Sequence, residues 1–229
     1  MQTTPSPFRQ RCPMSRILVI GKTGVGKSSL INRAFGIEEA RIFHNRRGEA
    51  DISKSLSSPR SPQYILHDSP GFEPGENANI ARVKEFIQAR KTCEVSDQLH
   101  MVWLCLQIPL EKYGQRVMEG AMQEVVEKKN QLLGHLPSIF VFTKYDMLTE
   151  LIETRWVDDR KEYTQDDVES AAAKYIQVHC ISPIKRITQE ECIPFIAVSA
   201  KVRYKHKLGE LIVLTEQHVS EYFMRSGRH

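Results

Sequence analysis

The sequence predicts an α/β fold: a doubly wound, mostly parallel sheet with helices on both faces. Three observations carry this. From Arg16 onward, apolar runs alternate with stripes of helical period. Several runs are continuously apolar, as strands buried on both faces require. The first run, Ile17-Leu18-Val19-Ile20, leads directly into Gly21-Lys22-Thr23-Gly24-Val25-Gly26-Lys27-Ser28. That octet is the G-x-x-x-x-G-K-[ST] pattern, set between a strand and a helix.

The elements follow in order. Residues 1–14 are polar, contain three prolines and show no periodicity, which predicts a mobile tail. Strands are predicted at 16–20, 63–67, 99–107, 138–142 and 193–198. The segment from Ser29 to Phe35 reads as a helix ended by Gly36. Residues 37–62 are rich in charge, serine and proline, and read as a long surface loop that admits a short strand near 40–43. Helices are predicted at 77–91, 113–133, 165–180 and 207–224, each from apolar residues at three-to-four spacing. Examples are Ile80, Val83 and Ile87 in the first and Leu208, Leu211, Ile212 and Val219 in the last. Residues 147–192, between the last two predicted strands, hold the helix at 165–180 and Trp156. An exposed aromatic there suits a partner surface, and a packed one suits the core.

Composition narrows the class. The 32 basic and 28 acidic residues leave a surplus of +4, too small to argue for nucleic acid. Five scattered cysteines without a C-x-x-C spacing argue against a zinc site, and their odd number suits reduced thiols. The stretch Met101 to Leu110 is far too short to span a bilayer, so no transmembrane segment is expected. The first residues lack the apolar centre of a secretory signal, and no lipidation pattern is present. A cytoplasmic protein is expected.

Four segments carry chemistry. In the first, backbone N–H groups of the glycine-rich loop can wrap phosphates, with Gly21 and Gly26 admitting close approach. Lys27 supplies a point charge to the β/γ-phosphates, and the Ser28 hydroxyl can ligate Mg²⁺. The helix that follows points its N-terminus at the anion. The expected contacts are Gly21, Lys22, Thr23, Gly24, Val25, Gly26, Lys27, Ser28 and Ser29. The second segment is Asp68-Ser69-Pro70-Gly71. Asp68 can hold a metal-bound water opposite Ser28, and the Gly71 N–H can approach a γ-phosphate. Lys27, Asp68 and Gly71 are the candidate catalytic residues; Ser28 and Asp68 are the candidate metal residues.

The third segment is Thr143-Lys144-Tyr145-Asp146. The Asp146 carboxylate can accept from N1–H and the exocyclic amine of guanine, a donor pair adenine lacks. The Lys144 stem can cover the base plane. The fourth is Ser199-Ala200-Lys201, where the Ala200 N–H can bond guanine O6. A small-molecule kinase would also use a phosphate loop, but has no use for a guanine clamp when ATP is the donor.

These four segments, in this order and each at a strand end, resemble the P-loop GTPases of the translation-factor, Ras, Era and septin class, over residues 15–224. The run Leu66-His67-Asp68-Ser69-Pro70-Gly71-Phe72-Glu73-Pro74-Gly75-Glu76 narrows the resemblance. With Trp103-Leu104-Cys105-Leu106-Gln107-Ile108-Pro109 and Phe142-Thr143-Lys144-Tyr145-Asp146, it is similar to single-domain fungal G-domain proteins. The resemblance implies a six-stranded Ras-like sheet forming one G domain, GTP·Mg²⁺ binding and slow GTP hydrolysis. It implies a nucleotide-dependent switch or assembly module; a GTP-binding scaffold with little turnover is the alternative.

The chain departs from that class in three places. Its members place a threonine in the first switch loop, within 37–62 here, to ligate Mg²⁺ and sense the γ-phosphate. The matching stretch is Gly48-Glu49-Ala50-Asp51, and the candidate substitutes Ser53, Ser55, Ser57 and Ser58 lack a confirming spacing. Ras-like members carry a water-positioning glutamine where this chain has Phe72, an apolar residue shared with Era-like and septin-like branches. That implies help from another group, such as a protein partner or a second G domain meeting it through the switch loops. Gly24 stands where potassium-activated Era-like members have asparagine, so no potassium stimulation is expected. Arg46 and Arg47 read as a solvated basic loop rather than a charge supplied in cis. His44 and His67 can lie near phosphate, but a lone histidine beside a strand is more often structural.

Overall fold

The computed structural model describes residues 13–37, 50–72, 77–110, 114–118 and 120–226. Most of the predicted tail, the strand near 40–43, Cys12, His44, Arg46, Arg47, Gly48, Glu49 and residues 73–76 lie outside the described residues.

Strand β1 (Ser15–Gly21) is buried along its whole length. It alternates between two cores, because successive strand side chains point to opposite faces. Ile17 and Val19 join one apolar cluster, with Met101, Trp103, Ile139 and Val141. Leu18 and Ile20 join the other, with Val102, Leu104, Phe140 and Phe142. Burial on both faces is why these runs read as continuously apolar.

Beyond β1 the order is α1 (Lys27–Phe35), β2 (Tyr64–Asp68), α2 (Asn77–Lys91), β3 (Met101–Gln107), α3 (Ala121–Glu127) and α4 (Lys129–Leu133). Then come β4 (Ser138–Thr143), α5 (Tyr145–Asp158), α6 (Gln165–Ile176), α7 (Ser182–Thr188), β5 (Phe195–Ala197) and α8 (Lys205–Ser226). Helices α1 and α8 cover one face through Leu30, Ile31, Phe35, Leu208, Leu211 and Val219. Helices α2 to α7 supply the other face, with Ile80, Val83, Met122, Leu148, Ile176 and Ile184 among the contacts. Trp103, fully buried, donates its indole N–H to Thr215 Oγ1 at 3.1 Å and stacks on Phe35, pinning α8 and α1 to β3.

The sheet runs β2-β1-β3-β4-β5, every pair parallel. The chain steps outward from β1 to β2 and then returns to β3 on the other side. This places a switch point at the carboxyl ends of β1 and β3, where ligands of such sheets bind.

The predicted fold class holds. The six-strand expectation becomes five strands among the described residues. Along the outer edge of β2 the described residues add one antiparallel bridge, Leu56 to Leu66, with reciprocal bonds of 2.8 Å. A turn at Asp51–Lys54 and another at Ser58–Ser61, which contains Pro59, close the ladder on both sides. The helix predicted at 113–133 is shorter and broken. Gly114 and Gly120 have positive φ (61° and 54°), and Lys128 interrupts α3 and α4.

The helix predicted at 165–180 opens on a capping box, in which Thr164 Oγ1 accepts from the Asp167 N–H while Asp167 accepts from the Thr164 N–H. It ends at Ile176, passes through a π turn at Gln177–Ile181 and restarts as α7. Pro183 explains the widening, since it has no N–H to give the preceding turn. Trp156, on α5, is half-buried: Lys161 Nζ lies 3.9 Å from its ring centre and Tyr163 packs at 5.4 Å. No helix of the described residues is long and apolar enough to cross a membrane.

The described cysteines are all free. Burial pushes the Cys105 and Cys180 thiols up to about 12, so they stay protonated and unreactive. Alkylation of the native protein at about pH 8 is therefore expected to modify exposed Cys192 and half-buried Cys93, and to spare Cys105 and Cys180. Peptide mass spectrometry reads this out; equal labelling of all four would contradict the packing.

Candidate functional site

A cleft of about 830 Å³ opens at the carboxyl ends of the strands. Residues 23–30, Asp68, Ser69, Gly71, Thr143, Lys144, Asp146 and 198–201 line it, together with Ala50, Met147 and Glu150. The four predicted segments therefore converge on one cavity.

At its phosphate-loop end, Gly24 and Gly26 take φ of 74° and 100°, which only glycine adopts without strain. They fold the loop back so that α1 starts at the cleft. Lys27 is buried, and its ammonium donates to the carbonyls of Gly21 (2.9 Å) and Lys22 (3.3 Å) across the loop. The Ser28 hydroxyl donates to Asp68 Oδ2 at 2.7 Å, joining the loop to the end of β2. Gly71 packs directly on the loop: a Cβ there would stand 2.7 Å from the backbone N and Cα of Thr23.

Gly21 and Lys22, both expected as contacts, do not line the cleft. Gly21 packs on β3, where a Cβ would meet the Cys105 carbonyl oxygen at 2.5 Å. Lys22 faces a separate cavity of about 160 Å³ with Gln107, Pro109 and Arg116. The other predicted loop residues, from Thr23 to Ser29, lie in the cleft wall.

At the opposite end, Thr143 Oγ1 donates to the Val25 carbonyl at 2.7 Å, tying β4 to the phosphate loop. Lys144 turns the chain with φ 62° and donates to Gln107 Oε1 at 2.7 Å. Asp146, in the first turn of α5, accepts from the Ser199 hydroxyl at 2.6 Å. The Lys201 N–H donates to the same Ser199 oxygen at 3.0 Å. Arg33 Nε donates to the Ala200 carbonyl at 3.0 Å, holding this last loop against α1. The serine and the aspartate thus form one unit, in which Ser199 fixes one carboxylate oxygen and leaves the second to a ligand.

The sequence reading missed several wall residues. Met147 and Glu150 follow from α5, which was not recognised because it buries only Tyr145, Leu148 and Thr149. A helical reading of that segment would have placed Glu150 on the same face as Asp146, four residues on. Ala50 reaches the cleft, but its side chain carries no oxygen. The candidate substitutes Ser53, Ser55, Ser57 and Ser58 are not in its wall.

Phe72 is 1% exposed and packs into the core with Ile52 and Ile80, pointing away from the cleft. His67 is structural. It is fully buried, its Nδ1 faces the Ile52 carbonyl at 2.8 Å, and its Nε2 faces Arg16 Nη1 at 3.1 Å. Burial, with Arg16 and Arg90 nearby, holds its pKa down at about 4, so the ring is neutral and bridges the Ile52 carbonyl and the Arg16 guanidinium.

The donor set fits Mg²⁺. A hydroxyl and a carboxylate, both hard oxygen donors, meet at 2.7 Å in the cleft wall. Mg²⁺ takes one or two such ligands and completes its octahedron with water and phosphate. Among the described residues no cluster of three or more His, Cys, Asp or Glu side chains could hold a metal by itself.

Comparison with known proteins gives concordant results. The family model described as 50S ribosome-binding GTPase matches residues 16–144, more than half of the chain. GTPase Der of Hahella chejuensis is 24% identical over 191 residues, 78% of this chain and 36% of that protein. GTPase Era of Rhizobium meliloti is 24% identical over 133 residues, 58% of this chain and 38% of that protein. Translocase of chloroplast 90 of Arabidopsis thaliana is 33% identical over 76 residues, 33% of this chain and 10% of that protein. The chain thus spans less than two fifths of these relatives' lengths. Among solved structures, a bacterial selenocysteine-specific elongation factor, EF-Sec, superposes with a TM-score of 0.51 at 16% identity. That match covers 91% of this chain and 29% of the other, and is a likeness of fold.

Proposed function

Because the chain belongs to the 50S ribosome-binding GTPase family, we propose that it binds GTP with Mg²⁺ across this cleft and hydrolyses it slowly. The bound nucleotide then acts as a switch or an assembly signal. One observation carries this reading: a single cavity has the Ser28–Asp68 pair at one end and the Ser199–Asp146 pair at the other. The first pair suits phosphate and metal, the second suits guanine. In this reading Lys27 and the loop N–H groups hold the β/γ-phosphates, and Ser28 and Asp68 hold Mg²⁺, which would neutralise phosphate charge. Gly71 presents its N–H to the γ-phosphate, Asp146 reads the base, and Ala200 meets guanine O6. The free cysteines support a cytoplasmic setting.

Calorimetry with GTP, GDP and ATP, with and without Mg²⁺, tests it. GTP and GDP are expected to bind about 10²–10⁴-fold more tightly than ATP, since adenine leaves the Asp146 carboxylate unmatched. Equal ATP affinity would overturn the reading.

A scaffold with little turnover is favoured by one observation, the burial of Phe72 in the core, which leaves its position without a side chain to orient water. Single-turnover phosphate release at low and high protein concentration decides between the two. Release that rises with concentration rejects the scaffold and supports a second copy, or another protein, completing the site through the switch loops.

A further inference from the structure

A second groove, of about 840 Å³, runs beside the C-terminal end of α1. Among the described residues four cations line it, Arg33, Arg60, Lys201 and Lys205, and no acidic residue does. Among the described residues none of the four is in an ion pair, although Lys128, Lys129 and Arg203 elsewhere on the surface all are. The Asn32 amide nitrogen, in the same wall, is buried without a hydrogen-bond partner among those residues. Gly36, with φ 69°, makes room for Arg60: a Cβ there would stand 3.2 Å from its side chain. Val202 projects beside them at 71% exposure.

We propose that this groove docks an acidic segment of a partner protein. Four like charges gathered without a counter-charge among the described residues repel one another, and a run of carboxylates relieves that by accepting from the guanidinium and ammonium donors. The groove is as large as the nucleotide cleft, so it suits several residues of chain rather than one small anion. Among the described residues its wall holds no aromatic side chain to give single-stranded nucleic acid a stacking platform. It is concave, whereas an anionic membrane selects a broad basic face or an amphipathic helix. Val202 gives one apolar contact, so an acidic run with one large aliphatic residue fits best. Lys201 also lines the nucleotide cleft, and Arg33 holds the Ala200 carbonyl, so a docked segment would touch the loop at the base end of that cleft. Docking itself requires no nucleotide.

The test uses the full chain and a fluorescein-labelled synthetic peptide of about eight residues, polyglutamate with one central leucine, roughly 26 Å when extended. Fluorescence anisotropy should show saturable binding at low salt that weakens as salt rises, with or without GDP. The double variant Arg60→Glu, Lys205→Glu, at two exposed positions, should lose at least about tenfold in peptide affinity while binding GDP as before. The neutral pair Arg60→Gln, Lys205→Gln should lose less, and circular dichroism should show all forms folded. Absence of saturable binding overturns the proposal, as does unchanged affinity in the charge-reversed variant. Tighter binding of an oligothymidylate or of phosphatidylserine vesicles through the same two residues overturns it in favour of another class of partner.

Discussion

Replacing Asp146 by asparagine is expected to lower GTP affinity by about 10²–10⁴-fold and to raise affinity for xanthosine triphosphate. Each guanine N–H bond to a charged acceptor contributes about 1.5–3 kcal/mol, and two such bonds are lost or inverted. The geometry sets the direction of the change. Ser199 donates to one carboxylate oxygen at 2.6 Å, and the asparagine oxygen can keep that bond. The amide –NH₂ then takes the second position, where it meets the guanine exocyclic amine donor to donor. Xanthine carries a carbonyl at that point and accepts. Competition against a fluorescent GDP analogue, with GTP and xanthosine triphosphate as competitors, measures both halves. Unchanged GTP affinity would remove Asp146 from base recognition, and Ser199→Ala should produce a smaller loss of the same kind by freeing the carboxylate to rotate.

A methyl group on Gly71 is expected to disable the phosphate end while leaving the guanine end chemically intact. The added Cβ would stand 2.7 Å from the N and Cα of Thr23. Those are backbone atoms, so no side chain can swing aside. The loop has no room to retreat either, because Gly21 already rests on the Cys105 carbonyl. Overpacking of this kind costs about 1–3 kcal/mol. In a chain of this size each kcal/mol lowers Tm by about 2–4 °C. Displacement of the loop should lower GTP and GDP affinity together by about tenfold or more. A thermal melt and a nucleotide titration on Gly71→Ala check this, and a variant with unchanged Tm and affinity would show that the contact yields.

The sheet was legible because its strands are buried on both faces. Ile17 to Ile20 alternate between two cores, so no polar residue interrupts them, and the same holds for Ile139 to Phe142. The cleft was legible because its chemistry sits in short contiguous segments at strand ends. What escaped depends on tertiary context. Helix α5 buries little, so it has no clear stripe, and Glu150 was lost with it. The break at Lys128 and the π turn before α7 depend on packing and on Pro183 more than on any periodic signal. His67 stands beside Asp68 in sequence, yet strand alternation turns it inward, onto Phe86 and the Ile52 carbonyl.

The sheet also divides the chain's freedom to vary. Between β4 and β5, Leu148, Ala172, Ile176, Cys180, Ile181 and Ile184 all pack on the same face of the sheet, and the α1–α8 layer lies on the other. Past Glu150, the last cleft residue of α5, substitutions, additions or trims in that stretch are therefore absorbed by one wall of the molecule. The opposite wall, which backs the phosphate loop through α1, keeps its packing. A lineage can remodel its surface beyond the first two turns of α5 and keep the phosphate loop that the opposite wall backs.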